Sequence, residues 1–399
     1  MSTALGPAQL PWSSHRAPAD YARLRALHGP VGHDDASGAW LILGYEVARS
    51  VLTGRGWTSD PMASEVNRQG LDALGIAEPP LSRTMLLLDG DDHARQRDSV
   101  RDVFTPQYIA QLSDGVVAIA DDIIAPIGTR TPFDFMTEIA QPFPIAVIAE
   151  WLGLDLPAAQ TLWTEAAAIA PALDGILDAE AAPAAAGALA ALVAEFLPLA
   201  AQRRTEPGDD LLSLLATDPR LDLDEVVMNA ILLAVAGHET TANLLGGGIA
   251  RLLTGPVGRR PIDRIDADDP AVLDEMLRLD GPAQAVFRVA TFTQQLGGHT
   301  IGAGDRAIVV LGSANRDPDV FDNPDQFRLD RDGRQPNLAF GHGPHRCLGA
   351  ALARLEVTVA LRMLIGREPV LDSPPVLRDS RLLRGLHSLP MRFLKGSRS

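Results

Sequence analysis

Cysteine is nearly absent from this chain of 399 residues, which contains a single one, Cys347. One thiol excludes internal disulfides, cysteine-rich zinc sites and iron–sulfur clusters held by cysteines. Three roles remain open for Cys347: a buried packing residue, a nucleophile, or the sole thiolate ligand of a cofactor. Because free cysteine most often behaves as a small buried hydrophobe, packing is the favoured role until the surrounding sequence argues otherwise.

Positive charge is also scarce. The chain has 35 Lys and Arg against 51 Asp and Glu, a formal net charge of −16, and Lys395 is its one lysine. This balance argues against nucleic acid or an anionic membrane surface as a main partner. With 46% hydrophobic and 22% charged residues, the composition also excludes the disordered and coiled-coil classes.

No segment has the pattern of a signal peptide or of an uninterrupted membrane span. Residues 1–15 lack a basic start followed by an apolar run, so a cytoplasmic location is expected. Prolines and a glutamate interrupt the alanine-rich stretch 181–201, and the apolar stretch 226–253 has polar residues at 238–243. Both stretches are interpreted as helices buried in a soluble protein. The presence of polar residues inside the second helix needs a structural or functional explanation.

Helical patterning dominates, and we predict one mainly α domain over residues 1–399 with a small β portion. Asp92, Thr105-Pro106 and Asp222 provide start signals for three of the helices. Residues 315–343 are rich in Pro, Asp, Asn, Gly and Arg without a helical period, which predicts a long functional loop. The predicted helices span residues 17–28, 45–53, 93–101, 107–127, 136–153, 156–205 (as two helices), 209–217, 222–254, 270–280 and 347–366; the predicted strands span 38–43, 285–293, 306–311 and 386–394.

The segment around Cys347 has the chemistry of a cofactor-binding loop. It runs Phe340-Gly341-His342-Gly343-Pro344-His345-Arg346-Cys347-Leu348-Gly349 and leads into a predicted helix. Its glycines permit positive φ angles and close backbone approach. The helix start and the neighbouring basic residues favour a thiolate over a thiol. The segment resembles the FGxGxHxCxG haem-binding loop of the cytochrome P450 family, with Pro344 as the residue between Gly343 and His345.

The resemblance implies a cytochrome P450 fold with haem b between the long central helix and the helix after Cys347. Cys347 is then the proximal ligand of the iron, where a thiolate favours O–O cleavage. Phe340 and Gly349 border the haem by the same resemblance. Two haem propionates need positive partners if they are buried. The family's positions for these partners are His93, Arg97, Arg288 and His345, although each of the four, taken singly, is an ordinary surface or capping residue.

A second motif lies in the long central helix, at Ala236-Gly237-His238-Glu239-Thr240-Thr241. Polar residues inside a helix usually face solvent or bond back to a carbonyl one turn earlier, which suits His238 and Thr241. The segment matches the family's (A/G)Gx(D/E)T pattern. That match implies that Ala236 and Gly237 border the haem, and that Glu239 and Thr240 relay protons to the site of oxygen reduction. Ala242 replaces the second histidine of a zinc HExxH motif and so excludes it.

A third motif is Glu275-Met276-Leu277-Arg278, in which Glu275 and Arg278 share a helix face. Alone, such a pair is usually a surface ion pair of little energetic weight. The resemblance implies a buried ExxR pair that is structural rather than catalytic. Arg331 is the predicted third member, and the set would hold the loop that carries Cys347.

The resemblance implies a haem-thiolate monooxygenase that inserts one oxygen atom from O2 into an apolar or amphipathic small molecule, by hydroxylation or epoxidation. The chain has no flavin or iron–sulfur motif, so a separate ferredoxin and its NAD(P)H-dependent reductase are the expected electron source. Near Cys347, Arg95, Arg101, Arg346 and Arg354 form a candidate docking face for an acidic ferredoxin, although a charge cluster is more often a solvated face. The implied substrate-pocket positions are Met85, Leu87, Leu232, Ala236, Val286, Phe287, Leu386 and His387.

Three other functions remain open at this point. A peroxide-driven peroxygenase of the same family is disfavoured because Glu239 and Thr240 are both present. A thiol hydrolase built on Cys347 and His345 would leave the other motifs unexplained, and residues two apart around a bend aim poorly at each other. A non-catalytic haem- or lipid-binding protein would have no use for a proton relay.

Overall fold

Helices make up about half of the computed structural model, which describes residues 10–79, 81–129, 131–173, 181–331 and 335–396. Four short 3-10 turns (Pro61–Ala63, Arg101–Phe104, Ala110–Leu112 and Pro261–Asp263) and a π turn (Met136–Ala140) join them. The mainly α class predicted from the sequence is confirmed. In chain order the α-helices are α1 (Ala17–His28), α2 (Tyr45–Leu52), α3 (Glu65–Ala73), α4 (Gly90–Asp98), α5 (Pro106–Ile109), α6 (Ser113–Ile124), α7 (Pro142–Leu152), α8 (Leu156–Leu173), α9 (Ala181–Thr205), α10 (Leu211–Thr217), α11 (Leu223–Leu252), α12 (Pro270–Asp280), α13 (Leu311–Ala314) and α14 (Ala350–Ile365).

The β portion is divided among small sheets. The largest has the order β1-β2-β8-β5-β3, in which β2 and β8 are parallel and the other neighbours are antiparallel. A second sheet has the order β4-β12-β9, and β6-β7 and β10-β11 are antiparallel pairs. The strands are β1 (Val31–Asp34), β2 (Ala39–Ile42), β3 (Trp57–Thr58), β4 (Phe133–Asp134), β5 (Val286–Ala290), β6 (Gln294–Leu296), β7 (His299–Ile301), β8 (Arg306–Val309), β9 (Pro369–Leu371), β10 (Val376–Leu377), β11 (Leu386–Ser388) and β12 (Pro390–Phe393).

Helix α11 is the central element. Its start is set by a capping box, in which Asp222 Oδ1 accepts from the Glu225 amide at 2.7 Å and Glu225 Oε2 accepts from the Asp222 amide at 3.0 Å. Most of its residues are buried, and it packs against α7, α8, α9, α10, α12 and α14. The largest apolar cluster of the protein surrounds it. A helix buried on nearly every side explains the long apolar run.

Several predicted boundaries differ from the structure. The helix predicted over 107–127 is divided into α5, a 3-10 turn and α6, and the helix predicted from 347 begins at Ala350. Asp92 was expected to cap a helix at 93, but that prediction is wrong because α4 begins at Gly90 and Asp92 lies in its first turn. No prediction was made for helices α3 and α13 or for strands β1, β3, β4, β6, β7, β9 and β10. Residues 174–180 of the stretch 156–205 and residues 332–334 of the predicted loop 315–343 lie outside the described residues; the rest of that loop has no helix or strand.

One helix of the described chain, Ala182–Thr205, is long and apolar enough to cross a membrane by length and composition alone. It packs along one side against α8, α10 and α11, while much of its other side is exposed. The expectation that this stretch is fully buried is therefore wrong. Core helices of soluble proteins pass the same test of length and composition.

Candidate functional site

The loop that carries Cys347 is closed by its own backbone. The Cys347 amide donates to the Phe340 carbonyl at 2.8 Å, and the Arg346 amide donates to the Gly343 carbonyl at 3.0 Å. Gly343 has φ +74° and lies so close to α2 that an added Cβ would be 2.3 Å from the Leu52 carbonyl oxygen. Glycine is therefore required at 343 by both backbone angle and packing.

The Cys347 side chain is accessible and at the same time closely surrounded by protein. Its surface is exposed, yet protein surrounds the thiol closely enough that burial raises its pKa. The Gly349 backbone amide and the charges of Arg346 and Arg97 lower that pKa, but they do not outweigh burial. The loop thus supplies groups that favour the thiolate, as the sequence indicated, but burial opposes them. A thiolate here needs further positive charge, such as that of a bound metal ion.

Open space also adjoins Gly349 and one face of α11. An added Cβ at Gly349 would meet nothing within 4 Å, so the protein itself gives no packing reason for this glycine. Ala236, Gly237 and Thr240 are half-buried in the middle of α11, between residues that are buried. These three positions fall within about 100° of the helix circumference, so the accessible surface is confined to one side of the helix there. Gly237 itself would tolerate a Cβ, in ordinary contact with Ile148.

A cluster of basic side chains lies beside the cysteine loop. The rings of His93 and His345 stack with centroids 4.3 Å apart, and Arg97 Nη2 donates to the Arg346 carbonyl at 2.6 Å. Burial, together with His345 and Arg97, lowers the pKa of His93 to about 4. The buried His93 Nε2 has no hydrogen-bond partner in the described structure. Three of the four predicted propionate partners, His93, Arg97 and His345, therefore lie together. The position of Arg288 decides whether all four do.

Arg288 does join this cluster. It is 8% exposed, its Nη1 donates to the Phe287 carbonyl at 2.6 Å, and burial lowers its pKa to about 10. Within the described structure neither Arg288 nor Arg97 has a carboxylate at ion-pair distance; Asp89 acts on Arg288 only from farther away. A buried guanidinium without a counter-ion is costly. The donor set therefore fits an anionic group such as a haem propionate.

Asp89 is a member of the cluster that the sequence did not reveal. Its Oδ1 lies 2.8 Å from His345 Nε2, and its Oδ2 accepts from Thr58 Oγ1 and from the Ser59 amide. Burial alone would raise the pKa of Asp89, but these hydrogen bonds lower it to about 2. Asp89 orients His345 from 256 residues away. No local pattern signals that contact.

Glu239 and Thr240 take different partners. Thr240 Oγ1 donates to the Ala236 carbonyl at 2.8 Å, so the back-bonding expected of His238 or Thr241 is made by Thr240. Glu239 is 3% exposed and pairs with Arg378, which follows β10. Asn243 Nδ2 approaches the same Glu239 oxygen at 3.5 Å. The sequence did not suggest Arg378 as a site residue.

Glu275, Arg278 and Arg331 meet in one network. Arg278 donates to both carboxylate oxygens of Glu275, at 2.5 and 2.9 Å, and Arg331 Nε donates to Oε1 at 2.9 Å. Arg278 also donates to the carbonyls of Asn315, Pro324 and Gln326. Burial alone would raise the pKa of Glu275, but the Arg278 bond and the other donors lower it. The network ties α12 to the loop at 315–331.

The proposed pocket positions are only partly brought together. Met85, Leu232 and Leu386 belong to the large apolar cluster around α11. Val286 and Phe287 are consecutive in β5, so their side chains lie on opposite faces. Phe287 packs against a different cluster from Val286, and His387 is exposed. Leu87 is half-buried near α4.

The four arginines of the candidate docking face are not equivalent. Arg95 pairs with Glu225 and Asp92, Arg101 with Asp98 and Asp102, and Arg354 with Asp274. Arg346 is exposed and has no carboxylate at ion-pair distance in the described chain. Of these four arginines, Arg346 is the one without a carboxylate partner among the described residues.

Comparison with known proteins agrees with this geometry. The family model described as Cytochrome P450 matches residues 270–368. Cytochrome P450 monooxygenase PikC of Streptomyces venezuelae is 37% identical, with 94% of this chain and 91% of the relative covered. Vitamin D(3) 25-hydroxylase of Pseudonocardia autotrophica is 36% identical, with 95% and 92% covered. A solved structure of a mutant of P450 EryK in complex with erythromycin B superimposes with a TM-score of 0.83 at 29% identity, covering 96% and 98% of the two chains.

The relatives and the structural neighbour match nearly the full length of this chain, and their names give a P450 monooxygenase, a hydroxylase and a P450. The cysteine loop, the basic cluster and the long central helix occur here in one fold. The chain therefore belongs to the cytochrome P450 family and is a haem-dependent monooxygenase of small molecules.

Proposed function

We propose that this protein is a single-domain haem-thiolate monooxygenase that uses haem b with Cys347 as the proximal ligand. One observation carries the proposal: the accessible sulfur of Cys347 lies near Arg97 and Arg288, which have no carboxylate at ion-pair distance in the described structure. Haem b would supply the iron and the two carboxylates that these two features require. When bound, it provides the chemistry of oxygen activation and electron acceptance.

The residues that would hold the cofactor form three groups. Cys347 supplies the ligand from a loop stiffened by its own hydrogen bonds. Arg97 and Arg288 would supply positive charge to the propionates, and His93 and His345 would supply hydrogen-bond donors. Ala236, Gly237, Phe340 and Gly349 would border the macrocycle, and Arg354 lies over the Phe340 ring at 5.6 Å.

Glu239 and Thr240 would deliver protons on the side of α11 that faces this space. Thr240 keeps its hydroxyl in place by donating to the Ala236 carbonyl, which leaves the oxygen lone pairs free to accept from water or substrate. Glu239 is the one buried acid beside it in the helix. The apolar side chains around α11 exclude bulk water, so proton supply depends on these two groups.

The substrate would be a mainly apolar molecule hydroxylated at a C–H bond. The pocket side of α11 adjoins Met85, Leu232 and Leu386, which are aliphatic. The vitamin D(3) 25-hydroxylase and the EryK complex with erythromycin B are relatives whose names give a lipid and a macrolide as ligands. We infer a bulky terpenoid or polyketide rather than a small polar metabolite.

Electrons would come from a separate ferredoxin and its NAD(P)H-dependent reductase, in the cytoplasm. The single cysteine of the chain leaves no cluster of its own. Arg346, exposed and unpaired with any carboxylate of the described chain, offers a charge to an acidic partner next to the Cys347 loop. A peroxide-driven reaction would need no such partner.

The test is the absorbance spectrum of the purified protein, reduced with dithionite and treated with CO. A strongly red-shifted Soret band is expected, and Cys347→Ser should abolish it while far-UV circular dichroism stays unchanged. A protein that remains colourless after haem supplementation contradicts the proposal. Turnover driven by peroxide, with no gain from ferredoxin and reductase, would instead identify the peroxygenase.

A further inference from the structure

Two fully buried amide side chains, Gln96 of α4 and Asn229 of α11, are bonded to each other. Asn229 Nδ2 donates to Gln96 Oε1 at 3.0 Å and to the Glu225 carbonyl at 2.8 Å. Gln96 Nε2 donates to Glu225 Oε1 at 3.2 Å and to the Arg83 carbonyl at 2.9 Å. All the amide hydrogens of the pair are therefore used. Turning either amide over would bring donor to donor or acceptor to acceptor, so the orientation of both is fixed.

The remaining oxygen of this pair, Asn229 Oδ1, holds a main-chain group. It accepts from the Met85 amide at 3.3 Å, although the two residues are 144 positions apart. Met85 lies in the segment 81–88 between α3 and α4, which consists of turns without a helix or strand. Leu81, at the start of this segment, has φ +66°, a left-handed conformation that is costly for a leucine. The shape of the segment therefore depends on contacts with other elements, and Gln96 and Asn229 supply two of them.

The outer end of the same network is charged. Arg95 donates to both carboxylate oxygens of Glu225, at 2.9 and 2.7 Å, and to the Arg220 carbonyl at 2.8 Å. The Arg95 bond and the other donors lower the pKa of Glu225 to about 2, although burial opposes them. Glu225 therefore remains an acceptor for Gln96 at neutral pH, which keeps the chain of amides in one orientation.

Asn229 lies on the same stripe of α11 as the accessible positions of the site. Seven residues make nearly two full turns, so Asn229 and Ala236 point within about 20° of each other and lie about 10 Å apart along the axis. Thr240 lies one turn beyond Ala236 on this stripe. The segment fastened to Asn229 is thus next to the open face of α11, and Met85 belongs to the apolar cluster that adjoins this face.

We propose that Gln96 and Asn229 are positioning residues that determine substrate specificity, because they hold the Met85 main chain against α11 and so fix the width of the pocket. This inference rests on the proposed function, which places the pocket on this face of α11. Neither amide touches a reacting atom. Removal of the Asn229 oxygen takes the acceptor from a buried amide, so the segment must shift or open toward water. A large ligand that packs against this wall should sense the change, whereas a small ligand should not.

The experiment compares two probes that bind haem iron through a ring nitrogen, imidazole and the much larger azole econazole, in the haem-loaded protein. Their dissociation constants are measured from the shift of the Soret band. Asn229→Leu, which nearly keeps the volume but removes the oxygen, should weaken econazole binding about five- to tenfold and change imidazole binding by less than about twofold. Amide hydrogen exchange of residues 81–88, measured by mass spectrometry, should become faster.

A second variant, Gln96→Leu, leaves the Asn229–Met85 contact in place but frees the Asn229 amide to turn. It should change the econazole-to-imidazole ratio and the hydrogen exchange in the same direction, and it decides the matter if Asn229→Leu does not fold. The matched control is Arg83→Gln, which breaks exposed ion pairs between the same segment and Asp222 and Asp224. Because exposed pairs contribute little, both readouts should stay unchanged in this control.

Three results overturn the inference: an unchanged ratio in the folded variants, equal weakening of both azoles, or an effect of Arg83→Gln as large as that of Asn229→Leu. A wild-type protein that shows no CO band instead overturns the proposed function, so the two failures are distinguishable.

Discussion

Arg331 and Glu275 are 56 residues apart in the chain, yet Arg331 Nε donates to Glu275 Oε1 at 2.9 Å. Arg331 also donates to the carbonyls of Asp322, Asn323 and Gln326. This one side chain therefore holds the loop against α12. Arg278 bonds both oxygens of the same carboxylate. Glu275 therefore neutralises two arginines and holds the segment that leads to Cys347.

Replacing this carboxylate tests its structural role. We expect Glu275→Gln to lower the free energy of unfolding by about 3–5 kcal/mol, because it leaves Arg278 buried without a counter-ion. The lowered pKa of Glu275 means that its contribution is present above its usual pKa of 4.5 and is lost as pH falls through the lower folded value. The variant should thus lose part of the acid dependence of stability, measured by urea unfolding from pH 3 to 7. Equal acid dependence in both proteins would contradict the assignment.

Two glycines of the cysteine loop should respond differently to alanine. Gly343→Ala should destabilise the fold by about 1–3 kcal/mol, because φ is +74° and the Cβ meets the Leu52 carbonyl. Gly349→Ala should change the fold by less than about 0.5 kcal/mol, since nothing lies within 4 Å, but it should weaken haem retention. Thermal unfolding and haem content measure the two effects. Normal haem retention in Gly349→Ala would show that the open space serves another purpose.

Thr240→Ala should uncouple turnover. A positioned proton donor contributes about 10²–10⁴-fold to rate, so we expect at least a tenfold loss of product per NAD(P)H and a matching rise in hydrogen peroxide. Thr240→Ser keeps the hydroxyl and serves as the matched control. Unchanged peroxide production in Thr240→Ala would remove Thr240 from the relay.

A substitution at Arg346 tests ferredoxin docking most directly. Arg346→Glu should slow electron transfer from an acidic ferredoxin about tenfold at low salt, with a smaller effect at high salt. Arg101→Glu should matter less, because Arg101 is already paired with Asp98 and Asp102. Stopped-flow reduction measures the rate, and an intact CO band shows that Cys347 is unaffected. Equal effects of the two changes would point to net charge rather than docking at Arg346.

Glu356 provides a test of stability against pH. It is 2% exposed in α14, and burial raises its pKa well above the usual range despite a hydrogen bond with Thr241. The folded state therefore holds a proton that the unfolded chain releases, so stability falls as pH rises from about 4.5 toward the folded pKa, by up to about 1.4 kcal/mol per pH unit. Glu356→Gln should remove this slope and raise stability at neutral pH. Denaturant unfolding from pH 5 to 8 measures it, and an unchanged slope would contradict the buried neutral acid.

The sequence by itself determined the local elements and the main chemical groups of the site. The α11 capping box, the cysteine loop and the Glu275–Arg278 pair depend on residues three to ten positions apart, where helix periods and turn geometry act. The ends of helices were predicted less accurately, as for the helices predicted over 107–127 and 347–366. Several residues near each end can start or stop a helix.

The interaction partners of the site's side chains could be identified only in the tertiary structure. It paired Glu239 with Arg378, 139 residues later, and His345 with Asp89, 256 residues earlier, since such contacts depend on how elements pack and leave no local period. It placed Val286 and Phe287 against different clusters. It also raised the pKa of the Cys347 thiol, where the loop sequence had indicated an ionised sulfur, because burial depends on the atoms of the whole fold.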